Sequence, residues 1–538
     1  MGRTVTIFLN DALYNAGILG FYRLYIDRES EFDFYENRIQ FDSDLLDSFT
    51  DRYLKRLQDQ FQDETIYGQV TKLYDETLKQ GDNHEDAVKS CIDRIKKLEG
   101  SSYKSGYEII KKRGCSYDFL LGIKEMAKTK ELELRKVILD EFVINMKEHK
   151  DIFILKGIAY TKVNMYWENV SFFQRDAVQT EFKDSVGKYF TEPAVSFTPA
   201  EGKKATANCC QCGTGLSKKD SKAMSWLVDI GIDVARKTSP FWNYNVDVCI
   251  CPVCALIYSC MPLGFTILRD EGIFINAGSN PKELDSINGK AMLIKAGQQD
   301  EAAARNVLYI AMSKLIDKYQ QLSNANTLQN IQVVRKNAGG YTFDVVSSEI
   351  LKRVSRCSKE LKFVAGNWLN GDIYSMTISR ILRGRNLYNF INELLHYSIS
   401  NNRRLYYIYQ LVLIQALVYL DERKFKGGEG QMSSDEIAKI TRGKICGAKK
   451  EGEKLNKAMS GDDKNDKKIR GLSFKLLNHL KTRDTHGFAD TILRQYMGLE
   501  KSVPTFISES FNDESVFLDC GYAFVAGLQG AAPNESVN

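Results

Sequence analysis

The beginning of the chain alternates apolar and polar positions in a way that predicts short strands around a helix. Alternation over residues 5–9 is typical of a half-buried strand, and residues 32–41 repeat it on both sides of a turn. Between these segments, the apolar stretch 12–26 predicts a buried helix. From residue 43 to about 150, apolar residues recur three and four positions apart, which indicates amphipathic helices.

Further strands are predicted downstream, which makes the region up to about residue 370 α+β. Apolar segments flank a glycine-containing turn within 265–275 and again within 331–345, as in β-hairpins. The apolar runs 152–155 and 167–173 predict strands or other core segments. Helical periodicity returns at 301–322.

From about residue 378 onward nearly every segment has helical periodicity. Its most apolar part, residues 405–420, has 16 residues including two glutamines. Because roughly 20 apolar residues are needed to span a bilayer, we interpret it as a buried helix of a bundle and expect no membrane segment. A chain of 538 residues is too long for one core. We therefore predict an α+β domain over residues 1–370 and a helical bundle over residues 371–538.

The positive charge of the chain is concentrated near its end. The formal net charge is +5, and residues 422–484 contain 17 Lys and Arg against 10 Asp and Glu. A local positive excess permits contact with a polyanion. The first residues, MGRTVTIFLN, show no secretion-signal pattern, and clustered cysteines in such a chain suggest a reducing compartment. We therefore expect a cytoplasmic protein.

Seven of the twelve cysteines lie between Cys209 and Cys260, where they supply two CxxC pairs. Two such pairs can hold one tetrahedral Zn²⁺ ion, so we predict a structural zinc site in an insertion at about residues 196–262. The predicted ligands are Cys209, Cys212, Cys251 and Cys254. Cys210 and Cys249 are alternative ligands. An iron–sulfur cluster or a redox disulfide is an alternative use of the pairs.

Clusters of lysine and arginine are candidates for contact with nucleic acid, because their charges neutralise phosphates. They occur beside the first CxxC pair, around Gly384 and in the C-terminal region. The candidate residues are Lys203, Lys204, Lys218, Lys219, Arg380, Arg383, Arg385, Lys449, Lys450, Lys467, Lys468 and Arg470. Ordinary solvated surface is the alternative interpretation of each cluster, and an acidic subunit face is another possible partner of the arginines.

Known catalytic motifs are not found in the sequence. The five histidines are scattered without metal-ligand spacing. Neither a GxxxxGK[ST] phosphate-binding loop nor a GxSxG nucleophile turn occurs. Four thiolate ligands would also leave a metal without an open position for chemistry. We therefore expect a non-catalytic protein.

Three stretches of the sequence resemble one protein family. They are the opening NAGILGFYR, the cysteine region CCQCG…FWNYNVDVCICPVCALIYSCMPLGF and the closing GYAFVAGLQG. Together they resemble the large subunit of the type I-B CRISPR Cascade complex, in its CXXC-CXXC family. The resemblance spans the chain from end to end, and the double CxxC followed by Pro-Leu-Gly-Phe is its most specific part.

The resemblance implies a subunit of an RNA-guided antiviral surveillance complex. It would sit near the 5′ handle of the guide RNA, beside the handle-binding subunit and the first backbone subunit. There it would recognise the protospacer-adjacent motif in double-stranded target DNA, help to open the strands and recruit the helicase-nuclease, while guide pairing reads the long sequence. The C-terminal bundle would resemble the separate small subunit, which an internal start at Met376 or Met432 could also supply.

Two other functions are compatible with the sequence. The first is a zinc-stabilised nuclease or nucleic-acid-modifying enzyme, whose catalytic carboxylates are not recognisable as a pair in the sequence. A scaffold protein would use the C-terminal charge to hold an acidic protein partner.

Overall fold

The structure is a computed structural model that describes most of the chain. The described residues are 2–79, 84–167, 180–223, 249–268, 271–278, 280–289, 331–337, 339–420, 433–459, 463–510 and 513–530, together with 312, 315 and 316. Within these ranges the protein is mostly helical and has small antiparallel sheets, which confirms the predicted α+β class. None of the described helices is long and apolar enough to cross a membrane.

Two compact units divide the chain. The first contains residues 1–289 and 332–343, and the second contains residues 290–331 and 344–538. The division predicted between residues 370 and 371 falls within the second unit, and as a domain boundary it stays a prediction.

Two sheets in the first part of the fold contain the predicted hairpins. Strands β1 (Thr4–Phe8), β2 (Asp33–Phe34) and β3 (Arg38–Asp42) form an antiparallel sheet in the order β1-β3-β2. The cysteine region contains four shorter strands, which are β4 (Ala207–Asn208), β5 (Gly215–Leu216), β6 (Lys222–Ala223) and β7 (Cys249–Ile250). A second sheet has the order β11-β10-β9-β8, and its strands are β8 (Thr266–Leu268), β9 (Glu271–Asn276), β10 (Ile331–Asn337) and β11 (Gly340–Val346).

Helices make up most of the first unit. Its α-helices are Ala12–Leu24, Phe49–Phe61, Ile66–Thr77, His84–Ile95, Ser101–Lys112, Phe119–Lys128, Leu132–Glu148, Lys150–Ile158, Asn164–Trp167, Phe182–Val186, Glu192–Ser196, Pro252–Ser259, Met261–Gly264 and Pro281–Asn288. Short 3₁₀ turns lie at Ile26–Glu31, Ser43–Ser48, Gln62–Glu64, Lys96–Glu99 and Gly202–Lys204, and π-helical turns lie at Ala159–Val163 and Gly187–Thr191.

One sequence prediction in this unit is partly wrong. The run 152–155 is buried, as a core segment should be, but it is helical rather than extended, because it lies inside the helix Lys150–Ile158. A helix that is covered on all sides has no polar face, so its sequence cannot be distinguished from that of a buried strand. The predicted helix 301–322 and the run 167–173 lie largely outside the described residues.

The first helix (Ala12–Leu24) is packed against the backbone of a helix that begins within the second CxxC pair, here called the knuckle helix (Pro252–Ser259). Asp11 caps the first helix by accepting hydrogen bonds from the N–H groups of Leu13 and Tyr14, both 2.9 Å long. A Cβ atom at Gly17 would lie 2.5 Å from the Ile257 carbonyl oxygen. Glycine is therefore required for this close approach, which joins the NAGILGFYR segment to the cysteine region.

Helices make up most of the described part of the second unit. They are Ser348–Arg356, Ser358–Val364, Ile373–Leu382, Tyr388–Ser400, Tyr407–Val418, Ser434–Met459, Asp463–Thr482, Thr485–Gly498, Phe506–Ser510 and Glu514–Leu528. The predicted bundle helix within 405–420 is confirmed as Tyr407–Val418, which is buried along most of its length. The glycine-rich segment 426–430 lies outside the described residues.

The closing helix (Glu514–Leu528) contains most of the GYAFVAGLQG segment and packs closely against the long helix (Ser434–Met459). A Cβ atom at Gly527 would lie 2.1 Å from the carbonyl oxygen of Lys449, and one at Gly452 would lie 2.1 Å from that of Phe524. Each helix therefore needs a glycine where it meets the other, and the glycines of this segment have a packing role.

Candidate metal centre

The first CxxC pair lies at the tip of a small hairpin. Strands β4 (Ala207–Asn208) and β5 (Gly215–Leu216) pair in antiparallel fashion, and the turn between them contains Cys209 and Cys212. Gly213 has a φ of 75°, a left-handed conformation that glycine adopts without strain, and its N–H donates to the Cys209 carbonyl over 2.8 Å. The turn thereby holds both thiols on one side of the hairpin.

The second CxxC pair lies at the start of the knuckle helix. Strand β6 (Lys222–Ala223) pairs with β7 (Cys249–Ile250), and the chain then enters the helix with Cys251 as its N-cap and Pro252 in its first turn. The Cys251 Sγ atom accepts a hydrogen bond from the N–H of Cys254 over 3.3 Å. Free N–H groups and the helix dipole favour a thiolate here, so the local fold suits a metal-binding cysteine.

The predicted four-cysteine set comes together in space. The Sγ atoms of Cys209, Cys212, Cys251 and Cys254 all lie within 4.8 Å of one another. The distance from Cys212 Sγ to Cys251 Sγ is 3.8 Å. A tetrahedron with metal–sulfur bonds of about 2.3 Å has edges of about 3.8 Å, so this geometry fits a single ion.

The alternative ligands are separated from this group. Cys210 is exposed, and neither it nor Cys249 belongs to the set of close Sγ atoms, although both are described. A multi-iron cluster would place iron and sulfide between the thiolates and so hold their sulfurs further apart. The four thiolates are therefore compatible with one zinc ion.

The clustered thiols also perturb one another electrostatically. The pKa of Cys212 is lowered far below its usual range, because the thiols of Cys209, Cys251 and Cys254 donate hydrogen bonds to its thiolate. The pKa of Cys254 is raised well above its usual range, because its thiol donates hydrogen bonds to the other three sulfurs and because the site is buried. Four buried thiolates repel one another, and only a bound cation makes their simultaneous deprotonation favourable.

Four of the lysines predicted to contact nucleic acid flank the first CxxC pair in the sequence. Lys203 and Lys204 are exposed in the 3₁₀ turn that precedes β4. Lys218 and Lys219 are exposed between β5 and β6. These four cations are therefore accessible to solvent.

In the second unit, two predicted residues are occupied by contacts within the protein. The Arg380 guanidinium lies 4.2 Å from the centre of the Phe390 ring, and it donates to the Met376 carbonyl over 2.9 Å. Lys449 Nζ lies 4.4 Å from the centre of the Tyr409 ring and 3.5 Å from the Glu453 carboxylate. Neither charge is as available to a polyanion as the sequence suggested.

The other predicted cations of this unit are more accessible. Arg383 and Arg385 are exposed on both sides of Gly384, whose φ of 66° ends the helix Ile373–Leu382. Lys450, Lys467 and Lys468 are also exposed, and Arg470 is half-buried.

The helix Asp463–Thr482, here called the lysine helix, carries two cations that the sequence analysis missed. Lys475 and Lys481 are exposed on the helix that also bears Lys467 and Lys468. At about 100° per residue, these four lysines fall within an arc of about 140°. None of them forms an ion pair with a residue that the structure describes. The absence of acidic residues from 467 to 483 was the signal that could have revealed this face.

Comparison with known protein families gives a match that covers the metal centre. Residues 202–266 match the family model described as "CRISPR-associated protein (Cas_CXXC_CXXC)". The matched segment contains all four clustered cysteines and the knuckle helix. The match supports a CRISPR-associated protein of this family. No significant match was found among curated proteins or among solved structures.

Proposed function

We propose that the chain is the large subunit of a type I-B CRISPR RNA-guided surveillance complex. In this role it recognises the protospacer-adjacent motif in duplex DNA, aids strand opening and recruits the helicase-nuclease. The observation that carries the proposal is the four-cysteine centre, which lies wholly inside the segment that matches the CRISPR-associated family. The first helix contains the opening NAGILGFYR segment and packs on the knuckle helix. A second stretch of the family resemblance therefore contacts the helix that carries the metal centre.

The metal in this proposal is a structural zinc ion held by Cys209, Cys212, Cys251 and Cys254. Zinc bound by four protein ligands has no position for water or substrate, so it contributes folding energy rather than chemistry. The ion would fix the hairpin of β4 and β5 to the start of the knuckle helix. The subunit would accordingly act by binding and not by catalysis.

The lysine helix supports contact with nucleic acid. Its four exposed lysines are 467, 468, 475 and 481, and they form a cationic face without a neighbouring acidic residue in the sequence from 467 to 483. Each phosphate that a lysine neutralises releases counterions, and this release is the main source of affinity for DNA. A face of this kind suits the track along a DNA strand that the small-subunit-like bundle would provide.

The first test is co-purification with guide RNA. The tagged chain is expressed together with the products of its genomic neighbours and a repeat–spacer array, and RNA recovered with it is sequenced. We expect short processed RNAs that carry a repeat-derived 5′ handle. Recovery of the assembled proteins without such RNA would contradict the proposal.

The second test is the salt dependence of DNA binding by the assembled complex. Replacing the four lysines of the lysine helix by glutamine should weaken binding and reduce the slope of log K against log salt by about 3 to 4, since each duplex phosphate contact contributes about 0.9. A matched control replaces four lysines that already pair with carboxylates within the protein. These are Lys96, Lys136, Lys444 and Lys454.

Both variants lower the net charge by four, so a general charge effect would change both slopes equally. An unchanged slope in the first variant would contradict a DNA role for the lysine helix. If the same variant instead lost its protein partners, the scaffold alternative would be favoured. Divalent-metal-dependent cleavage of DNA or RNA by the purified chain would favour the nuclease alternative.

A further inference from the structure

Every sulfur of the metal centre has a hydrogen-bonding group beside it. Cys209 Sγ accepts from the N–H of Cys251, and Cys251 Sγ accepts from the N–H of Cys254, each over 3.3 Å. The hydroxyl oxygen of Thr214 lies 3.1 Å from Cys212 Sγ and can donate to it once that thiol is deprotonated. These three groups all belong to residues 209–214 and 251–254, here called the two CxxC segments.

The fourth sulfur is served by a residue from a different part of the chain. The hydroxyl of Tyr14 donates to Cys254 Sγ over 3.2 Å, although 240 positions separate the two residues. Tyr14 lies on the first helix and its side chain is 2% exposed.

The start of the first helix is connected to both CxxC segments. Asp11, the cap of that helix, accepts a hydrogen bond from the Tyr258 hydroxyl of the knuckle helix over 2.8 Å. The same hydroxyl lies 3.3 Å from the side-chain oxygen of Gln211, which is inside the first CxxC pair. The rings of Tyr14 and Tyr258 are in contact, with centroids 4.9 Å apart. Tyr14 is therefore held against Cys254 by a rigid set of contacts.

We propose that Tyr14 is a positioning residue of the metal centre, which donates a hydrogen bond to the Cys254 thiolate and thereby makes metal retention depend on the first helix. A donor to a ligating sulfur reduces repulsion among the thiolates and fixes the orientation of the ligand. Conversely, loss of the metal should loosen the start of the first helix. The inference rests on the four-cysteine centre and does not require the CRISPR assignment.

The test compares Tyr14→Phe with Tyr53→Phe in the full chain. Tyr53 is also buried, and its hydroxyl donates to the Ser259 carbonyl of the knuckle helix over 2.8 Å, but it does not contact a ligand sulfur. Zinc release to a colorimetric chelator is measured for both variants. We expect release to be about ten-fold faster in Tyr14→Phe than in the wild type, as is usual when an outer-shell partner is removed. Equal release rates in the two variants would overturn the proposal.

A spectroscopic readout separates a direct effect on sulfur from a general loss of stability. In protein loaded with Co²⁺, the sulfur-to-cobalt charge-transfer band should move to longer wavelength in Tyr14→Phe, because a thiolate without its donor gives up electrons more easily. The Tyr53→Phe band should stay where the wild-type band lies. An unshifted band in Tyr14→Phe would show that the hydroxyl does not act on the thiolate.

Hydrogen exchange of the wild-type chain keeps the proposal testable even if a variant fails to fold. Chelation of the metal should increase exchange in residues 11–20 together with the two CxxC segments. Residues 407–418, a buried helix of the second unit, serve as the internal control. Unchanged exchange in residues 11–20 after metal removal would contradict the proposed coupling.

Discussion

The contact between Gly20 and Cys260 gives a prediction whose size can be worked from the structure. Gly20 lies on the buried first helix, opposite the backbone at the end of the knuckle helix. A Cβ atom at this position would lie 2.1 Å from the Cys260 carbonyl oxygen, whereas ordinary contact begins near 3.4 Å. Because neither a Cβ nor a backbone carbonyl can rotate away, Gly20→Ala must move the two helices apart by about 1.3 Å.

This displacement should destabilise the first unit. Overpacking of a core costs about 1 to 3 kcal/mol. A clash with a backbone carbonyl is at the upper end of that range, because the backbone cannot change rotamer to relieve it. Alanine recovers about 1 kcal/mol through its better helix propensity. The net expectation for Gly20→Ala is a loss of about 2 kcal/mol in the free energy of unfolding, accompanied by faster metal release since Tyr14 moves with the first helix.

Gly471→Ala is the matched control, because Gly471 also lies inside a helix but has no atom within 4 Å of the added Cβ. Only the propensity gain remains there, so we expect stabilisation by about 0.5 to 1 kcal/mol. Urea denaturation followed by circular dichroism measures both changes, and hydrogen exchange assigns them to residues 12–24 or 463–482. A Gly20→Ala variant as stable as the wild type would refute the packing argument.

Three further results are expected. Cys251→Ser should lose bound metal and unfold more easily, because it removes a thiolate from a closed site. Cys210→Ser should keep its metal, and elemental analysis of the two purified variants distinguishes these outcomes. Arg442→Met should cost about 2 kcal/mol in urea denaturation, because Glu360, at 7% side-chain exposure, loses its cation, and adding Glu360→Gln should restore part of the loss. For Asp484, the Gly487 N–H and then His479 lower the pKa, so its carboxylate stabilises the fold above its unfolded pKa of about 3.9. The stability difference between wild type and Asp484→Ala should therefore be present at neutral pH and vanish as the pH falls through the lowered pKa; a constant difference would contradict this.

Some of the candidate site followed from the sequence because its chemistry has a fixed local spacing. A CxxC pair turns two thiols to the same side of a tight loop, so Cys209 with Cys212 and Cys251 with Cys254 were predictable as ligand pairs. The neighbouring Cys210 and Cys249 could not be excluded by spacing. Only the structure separates them, since Cys251 rather than Cys249 caps the knuckle helix.

Contacts between distant segments could not be predicted from the sequence. Tyr14 is one of 27 tyrosines, and nothing in its local sequence indicates that its hydroxyl reaches a sulfur 240 positions away. The glycines of NAGILGFYR suggested a family, but only the structure shows that they allow two backbones to approach closely.

The same distinction applies to the positive residues and to the core. Lys449 and Lys467 look alike in the sequence, yet the first lies against Tyr409 and Glu453 while the second is exposed on the lysine helix. The run 152–155 was recognisable as buried from its hydrophobicity, but not as helical. Helical periodicity is visible in a sequence only when polar residues recur on one face, and this run has none. The sequence by itself determined the α+β class, the hairpins and the two thiol pairs, all of which depend on nearby residues. The tertiary structure alone decided which cations are available and which residues support the metal centre, because these depend on contacts between distant segments.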